Sequence, residues 1–298
     1  MRRLPSPGCG AVLAARPVFL RLPAPAPACA LLFVVLSILL SVVLPAASAR
    51  AAGSVDAPPP AARADADRSA LFHALWPAGF ATDLPEDVKR GEQPGPDLVP
   101  PARTAPRHVL PPLPAAERGI VRRVDPADGS DAAPGDAAPL AALTFDLCER
   151  ATSITGFEPA VPRILERYGA RATFFLGGKW MRNHPERTLQ ILAHPGFEAG
   201  NHAWTHGNFG LMDTARAAEQ VRWTQAQYEL ARETLARRAA AAGLDRTLTA
   251  VPDAPRLFRL PYGRSRWAAL ELLAGEGLRV IQWDLAAESV GGAHVEAR

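Results

Sequence analysis

The chain sets two histidines, His202 and His206, four positions apart in "GNHAWTHGN" (200–208). A lone aspartate, Asp146, closes the apolar run "LAALTFDL" (140–147). Two neutral imidazoles and one oxygen donor make an open site for Zn²⁺ or a similar divalent ion, with room left for water and a substrate carbonyl. Spacing alone is a weak sign of this, because histidines at i, i+4 arise readily by chance. Convergence with a carboxylate strengthens it. Asp146 has no packing role in an otherwise apolar strand, and a buried carboxylate needs a partner or a proton to receive. Arg259 and Tyr262 in "RLPYG" (259–263), with Trp283 and Asp284 in "IQWDL" (281–285), complete the polar set.

The elements around these residues follow a regular order. Past Pro139, five apolar segments ("LAALTFDL", "ATFFLGG", "FEAGNHA", "RLFRLPYG" and "RVIQWDL") alternate with four amphipathic ones, of which the longest runs from Asp213 to about Ala242. Strands apolar throughout, alternating with amphipathic helices, predict right-handed βα units and a parallel sheet, an α/β fold with about five strands. In such folds the reacting groups gather at the carboxyl ends of the strands. There stand Asp146, then Gly177 and Gly178, then His202 and His206, then Arg259 and Tyr262, then Trp283 and Asp284.

"LTFDLCE", "GNHAWTHGN", "RLPYG" and "IQWDL", in this order on successive strand ends, resemble the motifs of the polysaccharide deacetylases, the NodB homology domain of carbohydrate esterase family 4. The resemblance covers roughly residues 139–298. It implies a distorted (β/α) barrel and metal-dependent removal of N- or O-linked acetyl groups from polysaccharide such as peptidoglycan, chitin oligomers or exopolysaccharide, with Zn²⁺ as the expected ion. It further implies Asp146 as the base that takes a proton from the attacking water, and His202 and His206 as metal ligands. Arg259 matches the arginine that fixes the base and keeps it ionised through a charge-assisted hydrogen bond. The Tyr262 N–H matches an oxyanion donor and Trp283 part of the acetyl pocket; Asp284 beside it is assigned to substrate binding.

Departures from the family pattern set further expectations. The aspartate that usually follows the base, a third metal ligand, is replaced by Leu147. Glu158, in "TGFEP", and Glu149 stand as equal candidates for that ligand, a carboxylate being preferred to the thiol of Cys148. Ala203 stands where the family has Ser or Thr. The Leu-x-His motif of the general acid is not found before the final "ESVGGAHVEAR", and His294 is not assigned that role. An incomplete barrel is therefore expected, and a non-catalytic, carbohydrate-binding remnant is the competing functional class.

The first 49 residues read as an address. Arg2, Arg3, Arg16 and Arg21 precede an uncharged apolar run that ends in Ala47, Ser48 and Ala49, the pattern of a cleaved signal peptide or a signal anchor. Export to the periplasm or the extracellular space is expected, with residues 28–47 as the sole membrane contact. Residues 50–138, rich in proline and alanine and without a sustained period, read as a mostly disordered linker holding a short helix within 68–80. A net charge of +3 rests on 33 basic and 30 acidic residues without a long basic run, so no nucleic-acid footprint is read. The chain has no Gly-x-Ser-x-Gly and no phosphate-loop spacing, which disfavours serine hydrolase and nucleotide chemistry.

Overall fold

Short runs of Phe, Leu, Val and Ile without polar alternation bury both faces, so they form a sheet only with helices above and below it. The computed structural model describes residues 60–123 and 141–286. Its strands are β1 (Gly91–Glu92), β2 (Ile120–Val121), β3 (Leu143–Leu147), β4 (Ser153–Ile154), β5 (Ala172–Leu176), β6 (Phe197–Asn201), β7 (Leu257–Phe258) and β8 (Arg279–Ile281). Its α-helices are α1 (Pro60–Leu75), α2 (Ala160–Arg167), α3 (Gly178–Asn183), α4 (Pro185–Ala193), α5 (Thr214–Ala241) and α6 (Trp267–Gly275).

The main sheet runs β2-β8-β7-β6-β5-β3, and every neighbouring pair is parallel. β2 and β3 stand at its edges, so among the described residues the sheet is open, the incomplete α/β barrel that the sequence predicts. Five strands are the expected ones. The sixth, β2, is a dipeptide from the proline-rich region, too short to leave a periodic trace. β1 and β4 form a separate antiparallel ribbon.

Residues 60–123 correct the expectation of a mostly disordered linker. α1 buries Leu71 and Phe72, and Trp76 and Phe80 follow them into the main core beside Phe174, Trp180 and Phe197. Long-range polar bonds hold the rest. Arg68 donates to the carbonyls of Leu192 and Phe197 at 2.8 Å each, and the Trp76 indole N–H to Glu186 at 2.6 Å. Farther on, the Glu229 carboxylate of α5 accepts from Arg103 and from the backbone N–H groups of Arg107 and His108. Such bonds do not depend on hydrophobic periodicity, which is why composition suggested a tether. The expected helix at 68–80 is the end of α1 and the turn after it. The leader, residues 28–47 within it and His294 lie outside the described residues.

A second apolar cluster, with Phe209, Val221, Phe258, Leu260, Leu273 and Val280, packs β7 and β8 against α5 and α6. Between the two clusters the ring of Trp204 lies over Gly178. A Cβ at Gly178 would fall 2.1 Å from that ring, so the glycine pair after β5 serves close packing.

Candidate active site

The carboxyl ends of β3, β6, β7 and β8 bring Asp146, His202, Arg259 and Trp283 together, as their places in the sequence predict. Asp146 is buried, and its Oδ1 accepts from Arg259 Nη1 at 3.1 Å. The same Nη1 donates to Thr144 Oγ1 at 2.7 Å, and Arg259 Nε to the Ile281 carbonyl at 3.3 Å. The guanidinium carbon lies 4.1 Å from the centre of the Phe175 ring and 5.7 Å from that of Trp283. Arg259 is thus fixed by β3, β5 and β8 at once. Thr144 and Phe175 are site residues that sequence reasoning missed. The alternation of Thr144 with Asp146 in "LTFD" was the available signal, since residues two apart on a strand share a face.

His202 Nδ1 lies 2.8 Å from the backbone carbonyl oxygen of Arg259. A carbonyl only accepts, so Nδ1 carries the proton and Nε2 keeps its lone pair. That Nε2 is buried, lies 3.7 Å from Asp146 Oδ2, and has no hydrogen-bond partner among the described residues. The His206 ring centre is 5.0 Å from that of His202, and His206 Nδ1 is likewise buried and unsatisfied. Burial pushes both imidazoles down to about 3, His206 also through the neighbouring His202. Both are neutral near pH 7, the state a metal ligand needs. A buried His202 Nε2 without a partner, facing the Asp146 carboxylate, beside a buried and unsatisfied His206 Nδ1, fits a divalent ion.

Ala203, His206 and Tyr262 are the non-glycine residues with positive φ among the described residues, at 64°, 55° and 59°. All three lie at this site, and such backbone costs roughly 1–3 kcal/mol per residue unless the surroundings enforce it. The enforcement is visible. Asn201 Oδ1 accepts from Ala203 N–H at 2.9 Å, while its amide donates to the Val221 carbonyl and to Gln225. Gln220 accepts from Thr205 N–H at 2.8 Å. The Tyr262 ring lies 4.4 Å from that of His206. Asn201, Gln220 and Gln225 were not anticipated, because they act through the backbone of the histidine loop.

Burial pushes the Asp146 carboxyl up from its ordinary range, and the charge and hydrogen bond of Arg259 only partly oppose it. Burial thus works against the ionised state that the expected hydrogen bond from Arg259 favours. Neither carboxylate expected as the third ligand is grouped with the histidines among the described residues. Glu158 is exposed, its Oε1 accepts from Ala160 N–H at 3.1 Å, and it is not among the donors grouped around the histidines. Glu149 is fully buried, bonded to Asn183 at 2.6 Å and to Thr155 N–H at 3.2 Å, so its oxygens are already engaged. The Cys148 sulfur is the atom that lies within 4.8 Å of a nitrogen of each histidine. Trp283 is half-buried against Arg259, and Asp284 is ion-paired with Arg123 at 3.0 Å.

The family described as polysaccharide deacetylase matches residues 134–281, about half of the chain. The uncharacterized protein YlxY of Bacillus subtilis is 29% identical over 120 residues, 40% of this chain and 31% of that protein. A chitooligosaccharide deacetylase of Azorhizobium caulinodans is 30% identical over 127 residues, 43% of this chain and 51% of that protein. The chain thus spans about a third and about half of these two relatives. Among solved structures, the peptidoglycan deacetylase PdaC of Bacillus subtilis is 26% identical with a TM-score of 0.32, covering 47% of this chain and 56% of that one. A CE4 family pseudoenzyme of Bacillus anthracis is 18% identical with a TM-score of 0.32, covering 47% and 53%. Through residues 134–281 the chain belongs to the polysaccharide deacetylase family.

Proposed function

We propose that this protein hydrolyses N- or O-linked acetyl groups on cell-envelope or extracellular polysaccharide, with Zn²⁺ held by His202 and His206 beside Asp146. One observation carries the reading: the lone pair of His202 Nε2 is buried, unsatisfied and 3.7 Å from Asp146 Oδ2. A divalent ion held there would supply Lewis-acid activation of the acetyl carbonyl and of water. The chain's own residues do the rest. Asp146 accepts the proton of the attacking water, Arg259 holds that carboxylate in place, and the Tyr262 N–H donates to the developing oxyanion. Trp283 walls the acetyl methyl group, and Asp284 borders the substrate.

The apolar leader supports export, with the protein working outside the cytoplasmic membrane and touching it only through residues 28–47. Among the described residues no helix is long and apolar enough to cross a membrane.

The test is metal content and acetate release from N-acetylated chitooligosaccharides by the full chain. About one equivalent of Zn²⁺ is expected, lost in His202→Ala together with acetate release. Unchanged metal content in His202→Ala overturns the site. A second reading, a non-catalytic glycan-binding domain, is favoured by the shortage of donors, since Leu147 coordinates nothing and Glu158 is exposed. Metal and glycan bound without acetate release would establish that reading.

A further inference from the structure

Arg90 lies outside the family-matched residues, yet it lines one cavity of about 340 Å³ together with Asp146, Leu147, Gly156 and Glu158. The backbone around it is fixed on both sides. Upstream, Asp87 is buried and both of its carboxylate oxygens accept from Arg187, at 2.8 and 2.6 Å. The Asp87 carbonyl accepts from Phe157 N–H at 3.0 Å, and a Cβ at Gly156 would fall 2.1 Å from that same oxygen. Downstream, β1 pairs with β4, Gln93 N–H donates to the Thr152 carbonyl at 2.7 Å, and the Gln93 side chain accepts from Lys179 Nζ at 2.6 Å. Lys179, fully buried, also donates to the carbonyls of Arg150 and Ser153. A segment the sequence suggested to be a tether is one wall of the site.

The Arg90 side chain is exposed and makes no ion pair or hydrogen bond among the described residues. It leaves the Glu158 carboxylate of the same cavity unpaired with it, while the nearby Arg150 is bonded to Glu92 at 3.1 Å. The Asp146 charge is answered by Arg259. A guanidinium held on a pinned backbone, with its planar fork of donors unspent, suits a carboxylate taken by two parallel hydrogen bonds.

We propose that Arg90 is a specificity determinant that binds a carboxylate on the sugar next to the acetylated unit, so that the preferred glycan is acidic. This rests on the deacetylase reading above and names its substrate class. The test compares an acetylated oligosaccharide carrying a carboxylate on the neighbouring sugar with its carboxyl-reduced counterpart, using the full chain with Zn²⁺. Wild type is expected to favour the acidic form in kcat/KM by about tenfold, the scale of one charged hydrogen bond. The ratio should fall to about one in Arg90→Ala and keep an intermediate value in Arg90→Lys. A ratio of one in wild type, or a ratio unchanged in Arg90→Ala, overturns the proposal. Calorimetric binding of the same two oligosaccharides reads the same preference without turnover. If neither is cleaved yet the acidic one binds tighter and loses this in Arg90→Ala, the hydrolase reading fails and Arg90 stands.

Discussion

The backbone carbonyl of Arg259 lies 2.8 Å from His202 Nδ1 while the side chain of the same residue lies 3.1 Å from Asp146 Oδ1. One residue therefore sets the tautomer of the imidazole with its main chain and the place of the carboxylate with its guanidinium. The two tasks are separable by mutation, because a side-chain change leaves the carbonyl.

Arg259→Ala should keep Zn²⁺ content close to that of wild type while lowering kcat by roughly 10²-fold or more, the range of a positioned acid–base group. Removing the cation lifts the Asp146 carboxyl further, so the acid limb of the pH profile moves to higher pH. Metal analysis and a kcat–pH profile check both; loss of metal equal to that in His202→Ala would refute the division of tasks.

Leu147 lines one cavity with Asp146 and with Cys148, whose sulfur lies within 4.8 Å of a nitrogen of each histidine. Leu147→Asp is expected to tighten Zn²⁺ binding by about tenfold or more, the effect of completing a three-ligand set. Competition with a chromophoric chelator measures it, and an unaltered affinity would mean that the missing donor is supplied elsewhere.

His184 is fully buried, stacked on Trp180 at 4.4 Å, and burial pushes its imidazole down to about 4. In the unfolded chain it titrates near 6.5. The unfolded state therefore takes up the proton first as pH falls, and stability is lost between about pH 6.5 and 4. At pH 5.5 the loss from this one group is about 1 kcal/mol by the same linkage. Burial also raises the carboxyls of Asp146, Glu149 and Glu198, which act in the opposite sense. Denaturant unfolding of wild type against His184→Phe at pH 7.5 and 5.5 isolates the histidine; equal pH dependence in both chains would count against it.

Gly178→Ala places a methyl group 2.1 Å from the Trp204 ring and 2.9 Å from Thr224 Oγ1. Overpacking of this kind costs roughly 1–3 kcal/mol. Trp204 stands between the two histidines in sequence, so weaker Zn²⁺ binding should accompany the lower unfolding midpoint. A variant as stable as wild type would show that the ring moves aside freely.

Much of the fold was legible because its strands are apolar runs in alternation with amphipathic helices, and strand ends name their own loops. That is why Asp146, His202 and Arg259 were found together. The rest was written in other terms. Residues 60–123 are held by a few aromatic side chains and by bonds such as Arg103 to Glu229, 126 positions apart, which no local window detects. The loop after β3 was opaque for a similar reason: whether Glu149, Glu158 or Cys148 turns toward the histidines depends on Lys179 gathering the carbonyls of that loop. Nothing in "CERATSITGFEP" states it.

The interlock of β1 with β4, together with the seat of Asp87 against Gly156, has a practical meaning for how this protein is cut from its gene. An expression boundary drawn at residue 134, where similarity to the family begins, would leave Gly156 facing an empty groove, Arg187 without its anion and β8 with a bare edge. The smallest piece that should stand by itself starts ahead of α1.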